Sequence, residues 1–401
     1  MAIRPVVAVL CLLAANRGGV VQAERELELR LVPFPKQVRQ TDGTFPLDRS
    51  LVFEAPETVA TRFAHQLGQE LSLAGMPVPE TVAVAGRGYW FRLAKDGGGR
   101  VPSAPQYRDG AGEEDYVLNV GPEEIICIAT GEEGLYYGLQ TVRQLIRANR
   151  LGNALPNLAI ADWPSLRWRC FQDDMTRGPS SKLGTLEDEV ALGSELKMNL
   201  FTYYMEHQYA FKKHPLIGPE NGSLTPEDLA ALVDYAKPLY VDILGNQQSF
   251  GHFGHILAHD RYAHLRETPS LLSPVAEDSY RLLDDFYSEV CPLLPFPWFN
   301  VCCDETWGLG EGPSKQLAEE IGVGGVYVRH VRRVHDLLKD KYDKRMMMWG
   351  DIILQHPDKL DQVPKDTIML TWGYGPRESF EHQILPFVEL GYEFFVCPGV
   401  S

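Results

Sequence analysis

The sequence predicts an α/β protein: a small α+β domain over 30–150, then a (β/α)8 TIM barrel over 163–401. Three observations carry that prediction. After Trp163-Pro164 the chain alternates strand-like and helical patterns in strict order. Strand after strand ends in carboxylates, amides or indoles, which is where a barrel of this class carries its chemistry. A doubly wound open sheet is the alternative for such alternation, but no G-x-G-x-x-G follows the first strand.

The amino terminus reads as a processing signal. Arg4 precedes an apolar run over 5–15, and Val21-Gln22-Ala23 offers a small-residue cleavage site. That order is a secretory signal peptide, placed here at 1–23, and it predicts a secreted or periplasmic protein. The run is too short to span a membrane, and an uncleaved anchor is the alternative. Pro33 and Pro35 keep 31–39 extended, and Asp42-Gly43 signals a turn. A strand at 51–54 leads into a helix over 57–73, with Val59, Phe63, Leu67 and Leu71 on one face. Further strands fall at 89–93, 116–120 and 125–129, with a Gly- and Pro-rich surface loop at 96–114. An amphipathic helix over 134–147 completes this first unit.

Barrel strands are expected at 166–172, 199–204, 240–244, 298–303, 346–349, 367–372 and 393–397. The helix after the second is marked by Thr225 as cap, Pro226 at the first helical position and Asp228 three residues beyond the cap. The chain ends at Ser401, directly after the seventh strand, so an eighth strand is expected from outside this sequence. A formal net charge of −16 over 401 residues argues against a nucleic-acid partner, since phosphate binding needs clustered Lys and Arg. Of the cysteines, Cys11 leaves with the signal; Cys127, Cys170, Cys302, Cys303 and Cys397 sit in apolar strand-like runs, and Cys291 ends a helical pattern. No C-x-x-C occurs, and the adjacent Cys302 and Cys303 point to opposite sides of their strand. Buried thiols without a disulfide framework are expected.

The chemistry centres on 297–312, where a buried strand ends in Asp304-Glu305 and a Gly-rich loop carries Trp307. An Asp-Glu pair usually just starts a turn; a buried strand, its carboxyl end and a neighbouring indole change the odds. Adjacent residues leaving a strand point in opposite directions, so the two carboxylates are expected to face differently. The other strand ends deliver Asp173, Asp174 and Arg177; Glu206 and His207; Gln248 and His252; Trp349 and Asp351; and Trp372 and Tyr374. Indoles that stack on pyranose faces, carboxylates and an Arg that bonds hydroxyls describe a carbohydrate site. His252, His255 and His259 have helical spacing, but no H-E-x-x-H and no completing carboxylate accompany them, so neither metal nor cofactor is expected. Two other readings stay open: a conventional two-carboxylate glycosidase using Glu206, and a barrel that binds sugars without cleaving them.

These residues resemble glycoside hydrolase family 20, the β-N-acetylhexosaminidases, over nearly all of the chain after the signal. Leu31-Val32-Pro33-Phe34-Pro35 and Gly134-Leu135-Tyr136-Tyr137-Gly138-Leu139-Gln140-Thr141 are similar to the family's accessory domain. Asp304-Glu305 matches its catalytic pair and Arg177 its substrate-gripping arginine, while 246–252 and His264-Leu265-Arg266-Glu267 look closest to the hexosaminidase D-like branch. The resemblance implies retaining, substrate-assisted hydrolysis of an N-acetylhexosamine-containing glycan, outside the usual two-carboxylate scheme. It implies Glu305 as acid/base and Asp304 as holder of the acetamido nitrogen. Trp307, Trp349, Trp372, His252 and Glu206 would line the sugar site. Two departures stand out. Gln248-Ser249-Phe250 replaces the segment in which many members carry an Asp, and the acetamido-contacting tyrosine usually follows strand seven, leaving Tyr374 as a substitute candidate.

Overall fold

The computed structural model describes residues 28–81, 89–95, 112–376 and 379–399. The segment read as a signal peptide and most of the loop 96–114 lie outside them. The first sheet and its helices comprise β1 (Gln37–Pro46), β2 (Leu51–Glu54), α1 (Glu57–Leu73), β3 (Glu80–Thr81), β4 (Tyr89–Lys95), β5 (Tyr116–Val120), β6 (Glu124–Ala129), α2 (Glu132–Ala148) and β7 (Ala154–Asp162). The strand order is β1-β7-β5-β6-β4-β2-β3. Val59, Phe63, Leu67 and Leu71 of α1 are buried as their spacing predicts, packed with Phe53, Phe91, Ile125 and Leu139 in one core.

Two readings change here. Asp42-Gly43 is not a turn between elements; it lies inside β1 as a bulge, where the register against β7 shifts between Gln40 and Thr44. Gly43 takes φ 99°, and a side chain there would also meet the Asn157 amide at 2.6 Å. The second change is β7, which carries the first sheet beyond 150 to Asp162. It pairs antiparallel with both β1 and β5 and is buried along nearly its whole length. A strand covered on both faces shows no alternation, and Pro156-Asn157 within it reads locally as a break.

The second sheet contains β8 (Cys170–Asp174), β9 (Leu200–Tyr204), β10 (Asp242–Asn246), β13 (Trp298–Asn300), β14 (Arg345–Trp349), β15 (Ile368–Gly373) and β16 (Glu393–Pro398); a short hairpin, β11 (Arg266–Thr268) and β12 (Leu271–Leu272), follows β10. Seven strands stand in sequential order, every pair parallel, with β8 and β16 at the edges. The helices are α3 (Leu183–Glu195), α4 (Pro226–Ala236), α5 (Gly254–Leu257), α6 (Glu277–Val290), α7 (Lys315–Ile321), α8 (Val323–Tyr342) and α9 (Glu381–Glu389). The sheet curls. Leu200, Tyr204, Leu244, Cys302, Met347, Trp349 and Leu370 share one inner cluster, and Trp298 of β13 reaches Phe395 of β16 at 5.9 Å between ring centroids. The opposite face packs Phe201, Ile243, Phe299, Met346 and Met369 under Leu232, Phe286 and Val331 of the helices. This is the barrel class that the alternation predicts.

Local signals hold as well. Thr225 and Asp228 cap α4 reciprocally, each accepting the other's backbone N–H at 3.0 Å. The described cysteines are free thiols; Cys302 enters the inner cluster and Cys303 the outer one. Among the described residues no helix is long and apolar enough to cross a membrane.

The first sheet is tied to the barrel by polar contacts that run from buried to exposed. Lys197, just after α3, donates through Nζ to Asp162 at 2.7 Å and Tyr116 at 2.9 Å. Tyr136 of α2 meets Ser194 at 2.6 Å, and Arg143 and Arg147 reach Glu195 at 2.6 and 2.9 Å. Burial lowers the Lys197 pKa, with Asp162 acting against that shift. Removing one member of such a pair strands the other in a dry site. Lys197→Met is therefore expected to cost about 3–5 kcal/mol in urea unfolding, and adding Asp162→Leu should recover much of it.

Candidate active site

The site begins where β13 stops. The strand reading of 298–303 ends early, at Asn300, because Cys302, Cys303 and Glu305 take φ of 60°, 62° and 48°. A left-handed conformation costs a side-chain-bearing residue about 1–2 kcal/mol, so three within four residues need support. That support is visible. Val301 and Trp349 make backbone bonds with Met347 and Cys302 at 2.9 Å each. Tyr327 donates to the Cys303 carbonyl at 2.9 Å, and the Glu305 N–H donates to Asp351 Oδ2 at 3.0 Å. Gly251 lets a second backbone approach, since a side chain there would collide with the Asp304 carbonyl.

This turn corrects the expectation that Asp304 and Glu305 face different ways. Strand alternation does not extend through left-handed residues, and both carboxylates arrive at one imidazole. His252 Nε2 lies 3.4 Å from Asp304 Oδ2 and 3.3 Å from Glu305 Oε2, while its Nδ1 lies 3.4 Å from Glu206 Oε1. The Asp304 carboxylate, with Glu206 and Glu305 behind it, raises the His252 pKa against the opposing effect of burial. Burial raises the Glu206 pKa, and the charges of His252 and Arg177 pull the other way.

Gln248 occupies the place where a charge was expected. Its Nε2 donates to Asp304 Oδ1 at 2.6 Å and to the Tyr204 hydroxyl at 2.9 Å. Tyr204 in turn donates to Glu206 Oε1 at 3.3 Å. Arg177 pairs with Asp174 at 3.1 Å and Glu206 at 3.8 Å, and lies over the Tyr204 ring at 4.8 Å. At 54% side-chain exposure its guanidinium still has donors facing solvent.

The aromatic candidates separate. Trp349 is 7% exposed and lies in the inner barrel cluster beside Cys302. Trp372 is half-buried and packs on Tyr374 at 5.3 Å, both at the end of β15. Trp307 projects to solvent at 61% exposure. His207 stacks on His255 at 4.1 Å rather than joining His252; burial, then the His255 and His259 charges, pushes its pKa down to about 4. Among the described residues no group of three His, Cys, Asp or Glu is placed to hold a metal ion. Gln248 and Asp351 stand at strand ends in the sequence, but their partners, Asp304, Tyr204 and the Glu305 N–H, come from other strands and carry no local signal.

The catalytic-domain model of glycosyl hydrolase family 20 matches residues 139–400. The chain belongs to this family. The family's domain 2 model matches 28–163, the span of the first sheet. Hexosaminidase D of Bos taurus is 26% identical over 210 residues, covering 50% of this chain and 61% of that protein. The beta-hexosaminidase of Vibrio furnissii is 21% identical over 415 residues, covering 92% of this chain and 63% of that one. The chain thus spans 61% and 63% of the lengths of these curated relatives. Among solved family 20 structures, Flavobacterium johnsoniae chitobiase superimposes with a TM-score of 0.75 at 21% identity, over 92% of this chain and 59% of that one. The beta-N-acetylhexosaminidase of Bacteroides fragilis gives 0.71 at 20%, over 92% and 75%.

The two histidine environments make opposite predictions. By NMR, His252 should titrate above 6.5 and His207 near 4. A raised folded pKa contributes stability that is present below the unfolded value and lost as pH rises through the folded one. His252→Gln should therefore remove part of the stability loss above 6.5. The depressed His207 costs stability as pH falls from 6.5 towards 4, and His207→Gln should remove that loss.

Proposed function

We propose that this family 20 protein hydrolyses terminal N-acetyl-β-hexosaminide linkages, of GlcNAc or GalNAc, in glycans, with retention and with the substrate's own acetamido group as nucleophile. The observation that carries the reading is the convergence of Asp304 and Glu305 on His252. The third nearby carboxylate, Glu206, is engaged by Tyr204, His252 and Arg177, which suits a binding role better than attack on carbon. The names of the relatives, hexosaminidase D and beta-hexosaminidase, support the same substrate class.

In this scheme the acetamido oxygen attacks the anomeric carbon while Glu305 protonates the departing glycosidic oxygen. Positive charge develops on the oxazolinium, and Asp304 holds its N–H and stabilises that charge. Gln248, a neutral donor, aims Asp304 without adding a competing negative charge. Glu305 then takes a proton from water, which opens the ring from the side the leaving group vacated. Arg177 grips ring hydroxyls away from the reacting bond, with Trp349, Trp372 and Tyr374 as walls and Trp307 reaching towards the aglycone. The scheme draws on no metal or cofactor. The charged, apolar, small-residue order of 1–23 supports export to the periplasm or beyond the cell.

The acetamido group should be indispensable: an aryl N-acetyl-β-glucosaminide is cleaved and the matching aryl β-glucoside is not. Comparable turnover of both would reject substrate assistance. Glu305→Gln should lose about 10²–10⁴-fold on a disaccharide and far less on an activated aryl substrate, whose leaving group needs little protonation. Asp304→Asn should slow both alike, because both substrates pass through the same oxazolinium, whose charge Asp304 stabilises whichever group departs. Arg177→Ala should lose about 3 kcal/mol of transition-state binding, roughly 10²-fold in kcat/KM. An unchanged kcat/KM would take Arg177 out of the site.

A further inference from the structure

Asp351 stands just past β14, at the same end of the sheet as the carboxylate pair, and takes no part in the scheme above. The bland role for an acid there is to start the turn that follows its strand. Its side chain does something else. Oδ2 reaches across to the turn that follows β13 and accepts the backbone N–H of Glu305 at 3.0 Å, while Oδ1 is buried with no hydrogen-bond partner. Glu305 is a left-handed residue at φ 48°, and its neighbour Asp304 is pressed from the other side by Gly251. The bond from Asp351 is thus a side-chain hold on the very backbone unit that aims the Glu305 carboxylate at His252.

We infer that Asp351 is a positioning residue for the acid/base: it fixes the left-handed turn at Glu305 and thereby the direction of that carboxylate. The inference rests on the role given to Glu305 above. Keeping an ionisable acid in so dry a position is costly, and burial, with the Asp304 charge adding to it, raises the Asp351 pKa to about 7. Cys303 and Tyr327 also face it, and burial holds both neutral. A hydroxyl or an apolar side chain would fill the space at less cost, but neither offers a carbonyl-type acceptor at this distance. An asparagine oxygen does.

The test compares Asp351→Ala with Asp351→Asn, and Asp351→Val replaces the alanine variant if that one does not fold. On a disaccharide, Asp351→Ala should lose about 10²-fold in kcat, the scale expected when a catalytic group is misplaced by about an ångström. On an activated aryl substrate the loss should stay below about tenfold, and Asp351→Asn should recover to within about fivefold on both. Equal loss on the two substrates, or no rescue by asparagine, overturns the inference, since a merely structural acid would not be sensitive to the leaving group. Amide hydrogen exchange at Glu305 gives a readout independent of turnover. It should speed up about tenfold or more in Asp351→Ala and stay near wild type in Asp351→Asn. Unchanged exchange in the alanine variant also overturns the inference. If the wild-type protein cleaves neither substrate, the function proposed above fails, and the exchange measurement alone decides what Asp351 holds.

Discussion

The arrangement depends on one strained piece of backbone, the turn over 302–305. An extended strand would send Asp304 and Glu305 to opposite faces, one into the site and one into the layer of helices. Left-handed conformations at Cys302, Cys303 and Glu305 break that alternation and bring both carboxylates to His252. The barrel makes such a turn affordable by surrounding it. β14 bonds its backbone on one side, the Tyr327 hydroxyl and the Asp351 carboxylate take its polar groups, and the absent side chain of Gly251 leaves room for its carbonyl. Strain concentrated at a site and balanced by the surrounding packing is the expected pattern for a preorganised catalytic group.

The electrostatics follow from that convergence. Three carboxylates around one imidazole raise its pKa, led by Asp304, and Asp304, Glu305 and Glu206 all lie within 3.4 Å of that ring. Gln248 adds a donor without adding charge, and Arg177 sets a guanidinium 3.8 Å from Glu206. The site therefore holds its acids by pairing rather than by isolating them. An exposed guanidinium, a half-buried Trp372 and the exposed Tyr374 packed on it leave polar and apolar surface for a sugar ring.

Much of this was legible in the sequence, and the misses have physical causes. The helix 57–73 and the order of the seven parallel strands could be read because amphipathic spacing and strand–helix alternation are local patterns. β7 could not, since a strand buried on both faces has no period, and Asp42-Gly43 looks the same in a hairpin turn as in a bulge. The Asp304-Glu305 motif stood out from its neighbours, but its geometry did not: positive φ at Cys302 and Cys303 has no signature, because neither residue type favours it. Gln248 looked like the loss of a charge, and only its 2.6 Å contact with Asp304 shows what the amide contributes instead. His207 and His255 reach each other across sequence, which no helical spacing could indicate.

The central claim is that the paired carboxylates are shaped for a cyclised acetamido group, with Asp304 on its nitrogen. Calorimetric titration with a sugar-fused thiazoline, a stable mimic of the oxazolinium, tests it most directly. Binding is expected to be tight in the wild-type protein, near wild type in Glu305→Gln and at least about 10²-fold weaker in Asp304→Ala, on the scale of a lost charged hydrogen bond. Equal affinity for the wild type and Asp304→Ala, or no preference for the thiazoline over plain glucose, would contradict it.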